Sequence, residues 1–184
     1  MEKSTPQLPL DRLLWLLIIS ALALSAILQI IGAPLQTAAA PAGIISFEFA
    51  GTLENAQQML ASWDPDQQVR AGLSLGLDYL FLLLYSTAIA FASFRVAATL
   101  RDGRPLLATA GVWLGWAQWL AAALDAVENV ALISLLLGSQ GALWPPLAWG
   151  CAAVKFAIVA AGLLYALLGA GLYLIRFVTH LLES

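Results

Sequence analysis

Long apolar segments alternate with short polar ones along this chain. A transmembrane helix needs about 20 mostly apolar residues, and four segments reach that length, at about 13–31, 73–97, 107–137 and 147–175. The third and fourth exceed it, so we expect them to tilt or to protrude from the bilayer. The pattern predicts an all-α membrane protein in which four helices form a transmembrane bundle.

The longest polar stretch, residues 35–70, connects the first two spans. From about residue 53 to 63, apolar residues recur every three or four positions, as they do on one face of an amphipathic helix. Thr52 suits the N-cap of that helix, and Asp64 followed by Pro65 is a second start signal, for the helix of span two. We expect the extra helix to lie on the outer side, either flat on the membrane surface or packed over the bundle as a cap.

Composition supports the membrane class. The chain is 61% hydrophobic and 10% charged, with a mean hydropathy of +0.87, whereas soluble domains are about half apolar and about a quarter charged. Its 184 residues accommodate a single transmembrane domain, 1–184. The lone Cys151 excludes an internal disulfide. The net charge of −3 predicts no nucleic-acid partner. The sequence contains a single histidine, His180, and a histidine-ligated metal site needs more than one, so no metal site is expected.

Basic residues predict the orientation through the positive-inside rule. Only Arg70 falls on one side of the predicted bundle. The other side carries Lys3, Arg12, Arg95, Arg101, Arg104 and Arg176. We therefore expect both termini in the cytoplasm and the connection outside, in the inner (plasma) membrane of a bacterium.

Polar residues inside the spans are the candidates for function. Asp125, Glu128 and Asn129 stand at i, i+3 and i+4, so they share one helix face, and ionisable groups in hydrocarbon are costly enough to suggest a functional site. Asp78 of span two and Lys155 of span four lie at a similar depth, and Glu48 and Glu54 of the connection could dip toward them. Gln118, seven residues before Asp125, continues the stripe of Asp125 further inward. The candidate ligand-binding residues are Glu48, Asp78, Tyr85, Gln118, Asp125, Glu128, Asn129 and Lys155.

Two interpretations of these residues stay open. Three carboxyl groups of the spans face a single lysine, so the group cannot neutralise itself unless some acids stay protonated. Such an excess suits a ligand or cation site in an acidic chamber near the outer leaflet. Alternatively, an ion pair with Lys155 only fixes the packing of the helices.

The function classes follow from these interpretations. The first is a protein that binds a lipid-like or small amphiphilic ligand, or a cation; the alternative is a non-catalytic accessory or scaffold subunit. Membrane lipids are expected partners, and a transporter would require a homodimer, for which Gly72 with Gly76 and Gly111 with Gly115 have the small-residue spacing of helix contacts. The usual catalytic signatures are missing, so the sequence does not decide whether the protein is an enzyme, and it indicates no cofactor.

Five short segments carry a resemblance to a known family. They are FEFAG (47–51), ASWD (61–64), LDYLFLLLY (77–85), ALDAVEN (123–129) and VKF (154–156). Together they resemble a family of small, functionally uncharacterised four-span bacterial integral membrane proteins. The resemblance implies the four spans and the same polar residues, but no substrate. The layout alone, with an extramembrane helix after the first span, is also similar to the EXPERA group, in which acidic residues line a membrane pocket.

Overall fold

The computed structural model describes the backbone of residues 8–182 and the side chains of residues 12–172. The side chains of Lys3, Arg176 and His180 lie outside the described residues. Six α-helices follow one another: α1 Leu8–Gly32, α2 Ile44–Glu48, α3 Leu53–Ala61, α4 Pro65–Leu100, α5 Pro105–Leu136 and α6 Trp144–Leu182. A short 3-10 turn, Ala33–Leu35, follows α1.

Four of these helices are long and apolar enough to cross a membrane. They are α1, α4, α5 and α6, so the predicted four-span bundle is confirmed. The helices are longer than the predicted spans because hydropathy marks only their apolar part. At the start of α4, Asp64 accepts a 2.8 Å hydrogen bond from the Gln67 amide while the Gln67 side chain accepts one from Asp64. This capping box starts the helix at Pro65, as the Asp-Pro signal predicted.

Three of the spans form the centre of the bundle, and α1 stands at its side. Helices α4, α5 and α6 all pack against one another, whereas α1 packs mainly against α4. The helices approach one another closely where a glycine on one faces a large side chain of another. Gly115 faces the Phe94 ring, and Gly162 faces Gln118 and Ile89. The Gly111–Gly115 spacing thus serves packing inside the bundle.

The connection between α1 and α4 covers one end of the bundle. Its side chains Phe47, Ala56 and Trp63 are buried in one core cluster with residues of α4, α5 and α6, including Leu75 and Leu132. The rings of Phe47 and Trp63 meet edge to face at 5.4 Å, and the Trp63 indole donates a 2.9 Å hydrogen bond to the Leu35 carbonyl. Of the two predicted placements of the amphipathic helix, the cap is the one observed. We call residues 33–64 the cap segment.

Two details of the cap segment differ from the prediction. Helix α3 ends at Ala61 rather than near residue 63, because Ser62 caps it and donates a 2.7 Å hydrogen bond to the Met59 carbonyl. Helix α2 was not predicted, since its five residues are too few to show a helical period. Gly43 and Gly51, at φ 60° and φ 70°, turn the chain on either side of it, a conformation that favours glycine.

Candidate functional site

Three spans and the cap segment bring the predicted polar residues into one layer of the bundle. At about 1.5 Å per residue, Lys155 lies about 17 Å from the start of α6, Asp125 about 17 Å from the end of α5, and Asp78 about 20 Å from the start of α4. Since α5 runs antiparallel to both neighbours, these distances place the three side chains at similar depth. The layer lies deeper below the helix ends than the shorter predicted spans implied.

Lys155 is the centre of this layer. Its ammonium nitrogen donates hydrogen bonds to Asp125 Oδ1 at 2.6 Å and to Glu128 Oε1 at 3.0 Å. Glu128 Oε2 is equally near, at 2.9 Å, but only Oε1 is aligned as an acceptor. Glu48 Oε2, from the end of α2, lies 3.8 Å from the ammonium nitrogen. Three carboxyl groups from two different elements therefore surround one ammonium group.

A second set of contacts extends the layer to α4. Tyr85 donates a 2.9 Å hydrogen bond to Asp125 Oδ2, so Asp125 bridges Lys155 and Tyr85. Asn129 donates a 2.7 Å hydrogen bond to Asp78 Oδ2, and the carboxyl group of Asp78 interacts with that of Asp125. We call Glu48, Asp78, Asp125, Glu128 and Lys155 the acid cluster.

The acid cluster is buried and contains more acids than bases. Glu128 is 0% exposed, Asp125 2% and Lys155 6%, and buried charges are costly unless they are paired. In the described part of the chain, three carboxyl groups lie within 3.8 Å of this one ammonium group, and a fourth, that of Asp78, lies beside Asp125. Glu48 Oε2 is buried without a hydrogen-bond donor. The cluster therefore contains more carboxyl groups than its one ammonium group can neutralise.

Glu48 is the member of the acid cluster that comes from outside the spans. Burial raises the pKa of its carboxyl group to about 7; the Lys155 charge lowers it, and the Asp125 and Asp78 charges raise it. A carboxyl group with that pKa exists in both protonation states near neutral pH. Glu54, the other acid of the cap segment that was expected to approach, is exposed on α3.

Gln118 is the candidate that the structure does not bring to Lys155. Its amide donates hydrogen bonds of 3.2 Å to the Leu114 carbonyl of its own helix and to the Ile158 carbonyl of α6. Although Gln118 continues the Asp125 stripe, it lies about 10 Å further along α5. Its amide therefore joins α5 to α6, and its Oε1 is buried without a donor.

Two polar residues of α4 were missed from the sequence, one beside this layer and one about 22 Å further along the helix. Tyr79 donates a 3.2 Å hydrogen bond to the Ala126 carbonyl, which ties α4 to α5 beside the acid cluster. Ser93 is fully buried and its hydroxyl has no partner. Ser86, Ala90, Ser93 and Ala97 form a small-residue stripe with spacings of four, three and four, a signal that could have marked this buried face of α4.

Aromatic side chains lie next to the acid cluster, one directly after α2 and two on α6. The ammonium group of Lys155 is 5.0 Å from the centroid of the Phe156 ring. Phe49 stacks on Phe156 at 5.9 Å and meets Trp149 edge to face at 6.4 Å. Trp149 and Phe156 are 49% and 42% exposed, so this aromatic group reaches from the cluster to the outside of the bundle.

Two cavities lie away from the acid cluster. One, of about 290 Å³, is beside the cap segment and is lined in part by Gln57, Gln68 and Gln140. The other, of about 490 Å³, lies at the opposite end of the bundle, between α4 and α5. Among the described residues, no group of three or more His, Cys, Asp and Glu side chains is arranged to hold a metal ion.

Comparisons of this chain with protein-family models, with curated proteins and with solved structures find no match. The resemblance to small four-span bacterial membrane proteins therefore stays a prediction.

Proposed function

We propose that this protein binds the amine-bearing head of a small amphiphilic molecule at the acid cluster. The observation that carries the proposal is the surplus of carboxyl groups: three of them surround one ammonium group in the described chain, and Glu48 Oε2 has no hydrogen-bond donor. Because hydrogen bonds between ionised groups are the strong ones, an added ammonium group would satisfy acceptors that Lys155 leaves open.

Lys155 itself supports the choice of an amine. Its side chain is an ammonium group on a flexible apolar stem, and it is held by Asp125 and Glu128 with the stem inside the bundle. A ligand with an amine and an apolar tail has the same chemistry. The aromatic group of Phe49, Trp149 and Phe156 adds ring faces that attract cations.

The cap segment supplies the entrance in this proposal. Of the three carboxyl groups around Lys155, that of Glu48 has the most exposed side chain, at 12% against 3% for Asp125 and 0% for Glu128. Phe47 of α2 is buried in the core, so the helix stays in place while the Glu48 side chain turns away from Lys155. This rotation would open the cluster toward the exposed aromatic group.

Orientation and location are part of the same proposal. We place both termini in the cytoplasm of a bacterium and the cap segment outside its inner membrane, so that ligands enter from the outer leaflet. Support comes from the basic residues. Arg12, Arg101 and Arg104 lie at the end of the bundle opposite the cap segment, whereas Arg70 lies at the same end as the cap segment. A membrane-impermeant maleimide should label Gln57→Cys but not Gly103→Cys in intact cells; the reverse pattern would overturn this orientation.

Binding of matched probes tests the function. The protein in lipid nanodiscs should retain dodecylamine in native mass spectrometry at neutral pH, and dodecanol, with the same tail but no charge, should be retained much less. Glu48→Gln should weaken dodecylamine binding about tenfold, whereas Glu54→Gln, which changes an exposed acid of the same segment, should not. Equal retention of the amine and the alcohol would exclude the proposal.

A structural role is the second candidate, and the geometry of Lys155 favours it. The 2.6 Å contact with Asp125 and the complete burial of Glu128 are what an ion pair that fixes helix packing requires. In that case no amine probe is retained by the parent protein or by Glu48→Gln. The double variant Asp125→Asn with Lys155→Met should then be more stable than Lys155→Met alone, because one unpaired buried carboxylate is removed.

A further inference from the structure

The larger cavity lies at the end of the bundle remote from the acid cluster and plays no part in the proposed amine site. It occupies about 490 Å³ between the last turns of α4 and the first turns of α5. Six of its eight lining residues are apolar, and the two polar ones are Arg101 and Thr109. The cavity thus combines an apolar interior with a polar edge.

Small side chains open the interior. Ala97 and Ala108, on facing helices, are 3% and 7% exposed and line the cavity where larger residues would bring α4 and α5 into contact. Phe94 forms one wall, and its position is fixed because its ring packs over Gly115 and meets Trp116 at 5.7 Å. The space is therefore a slot between two helices with a firm wall, suited to a flexible hydrocarbon chain.

The edge carries one charge. Arg101 follows α4 directly and is exposed, and among the described residues that line the cavity it alone is charged. No described residue forms an ion pair with it. Thr109 uses its hydroxyl in a 3.0 Å hydrogen bond to the Pro105 carbonyl, which leaves the guanidinium group as the donor for a ligand.

We propose that this cavity binds one anionic phospholipid, with its phosphate group on Arg101 and one acyl chain in the slot between α4 and α5. Charge complementarity carries the choice of occupant: a guanidinium group matches a phosphate with two parallel hydrogen bonds, and basic residues at the membrane interface select anionic lipids.

Lipid competition tests this proposal. The full-length protein in mild detergent is titrated with phosphatidylglycerol or phosphatidylcholine of identical acyl chains, and bound lipid is counted by native mass spectrometry. One phosphatidylglycerol should be retained in preference to phosphatidylcholine. Arg101→Gln should lower its retention about tenfold, whereas Arg12→Gln, which removes an exposed arginine at the same end but outside the cavity, should leave it unchanged.

The slot and the phosphate are tested separately. Ala108→Leu, which fills the interior, should abolish retention, and Ala98→Leu, at the exposed edge of the slot, should lower it with little risk to folding. Inorganic phosphate should not displace the lipid, since it lacks an acyl chain. The proposal is overturned if Arg101→Gln and Arg12→Gln have equal effects, if the two lipids bind alike, or if phosphate competes as well as phosphatidylglycerol.

Discussion

The carboxyl group of Glu48, on a short helix outside the four spans, lies 3.8 Å from the ammonium nitrogen of Lys155 inside the fourth span. Asp125 approaches the same nitrogen to 2.6 Å. Glu48 is therefore the most loosely held of the three carboxyl groups around Lys155. A change in the protonation state of Glu48 therefore changes the electrostatic interaction between the cap segment and Lys155.

We expect stability to depend on pH through Glu48. Its pKa is raised from 4.5 to about 7, first by burial, so the folded protein keeps a proton that the unfolded chain releases. The resulting stabilisation is complete below pH 4.5 and is lost as pH rises through 7, with a magnitude of about 3 kcal/mol at most. Melting temperatures in detergent at pH 5 and pH 8 measure it.

The matched variants isolate this contribution. Glu48→Gln should reduce the difference in melting temperature between pH 5 and pH 8, because glutamine does not titrate. Glu54→Gln should keep the parent's difference. The groups that face Glu48, namely Lys155, Asp125, Asp78 and Glu128, stay in place in both variants. An unchanged pH dependence in Glu48→Gln would contradict the assignment.

Loss of the ammonium group should be the most damaging single change in the spans. Lys155→Met leaves Asp125 and Glu128 buried without their cation, which typically costs about 3–5 kcal/mol. Unfolding in sodium dodecyl sulfate measures the loss. Arg70→Met, which removes an exposed cation from α4, should change the unfolding free energy by less than about 0.5 kcal/mol.

A double variant tests whether Lys155 and Asp125 interact, with the same unfolding measurement in sodium dodecyl sulfate. Adding Asp125→Asn to Lys155→Met removes one of the unpaired carboxylates, so the double variant should be more stable than Lys155→Met alone. Strict additivity of the two single changes would show that the pair does not interact.

Glycines of α6 should differ sharply in their tolerance of a methyl group. A Cβ at Gly162 would collide with Gln118 and Ile89, and the displaced amide would lose its bond to the Ile158 carbonyl. We expect Gly162→Ala to destabilise the bundle by about 1–3 kcal/mol. Gly150 has nothing within 4 Å of its Cβ position, so Gly150→Ala should be neutral or stabilising. Equal effects in thermal unfolding would contradict this packing.

The indole of Trp63 should hold the cap segment in place. Trp63→Phe keeps an aromatic ring against Phe47 but removes the donor to the Leu35 carbonyl, a loss of about 1 kcal/mol. Limited proteolysis should then cut within residues 33–64 faster than in the parent. Trp15→Phe, at a 63% exposed position of α1, is the control; faster cleavage there as well would point to general loosening.

The fold was predictable because a bilayer imposes it. Long apolar segments must be helices there, and the Asp64-Pro65 signal marked the start of α4. Hydropathy could not locate the other helix ends, since α4 and α6 continue through residues whose polarity is compatible with either helix or loop. Helix α2 was not predictable from five residues whose position depends on packing against α5 and α6.

The acid cluster was predictable where one helix determines it. Asp125 and Glu128 share a face by their spacing alone, and similar depth indicated Lys155 and Asp78. Gln118 shares the helix face of Asp125 but lies about 10 Å further along α5, so the shared face alone could not show which residues it contacts. The packing of the cap segment determines that Glu48 reaches Lys155 and that Glu54 stays exposed. No local sequence pattern encodes this packing.

The order of the acid cluster along the chain constrains how the protein is made. Glu48, Asp78, Asp125 and Glu128 are all synthesised before Lys155, their only ammonium partner in the described chain. Until α6 enters the bilayer, α5 exposes two carboxyl groups that hydrocarbon accepts more readily when they are protonated. The ion pairs with Lys155 can therefore form only after the fourth span has been synthesised and has joined the other three.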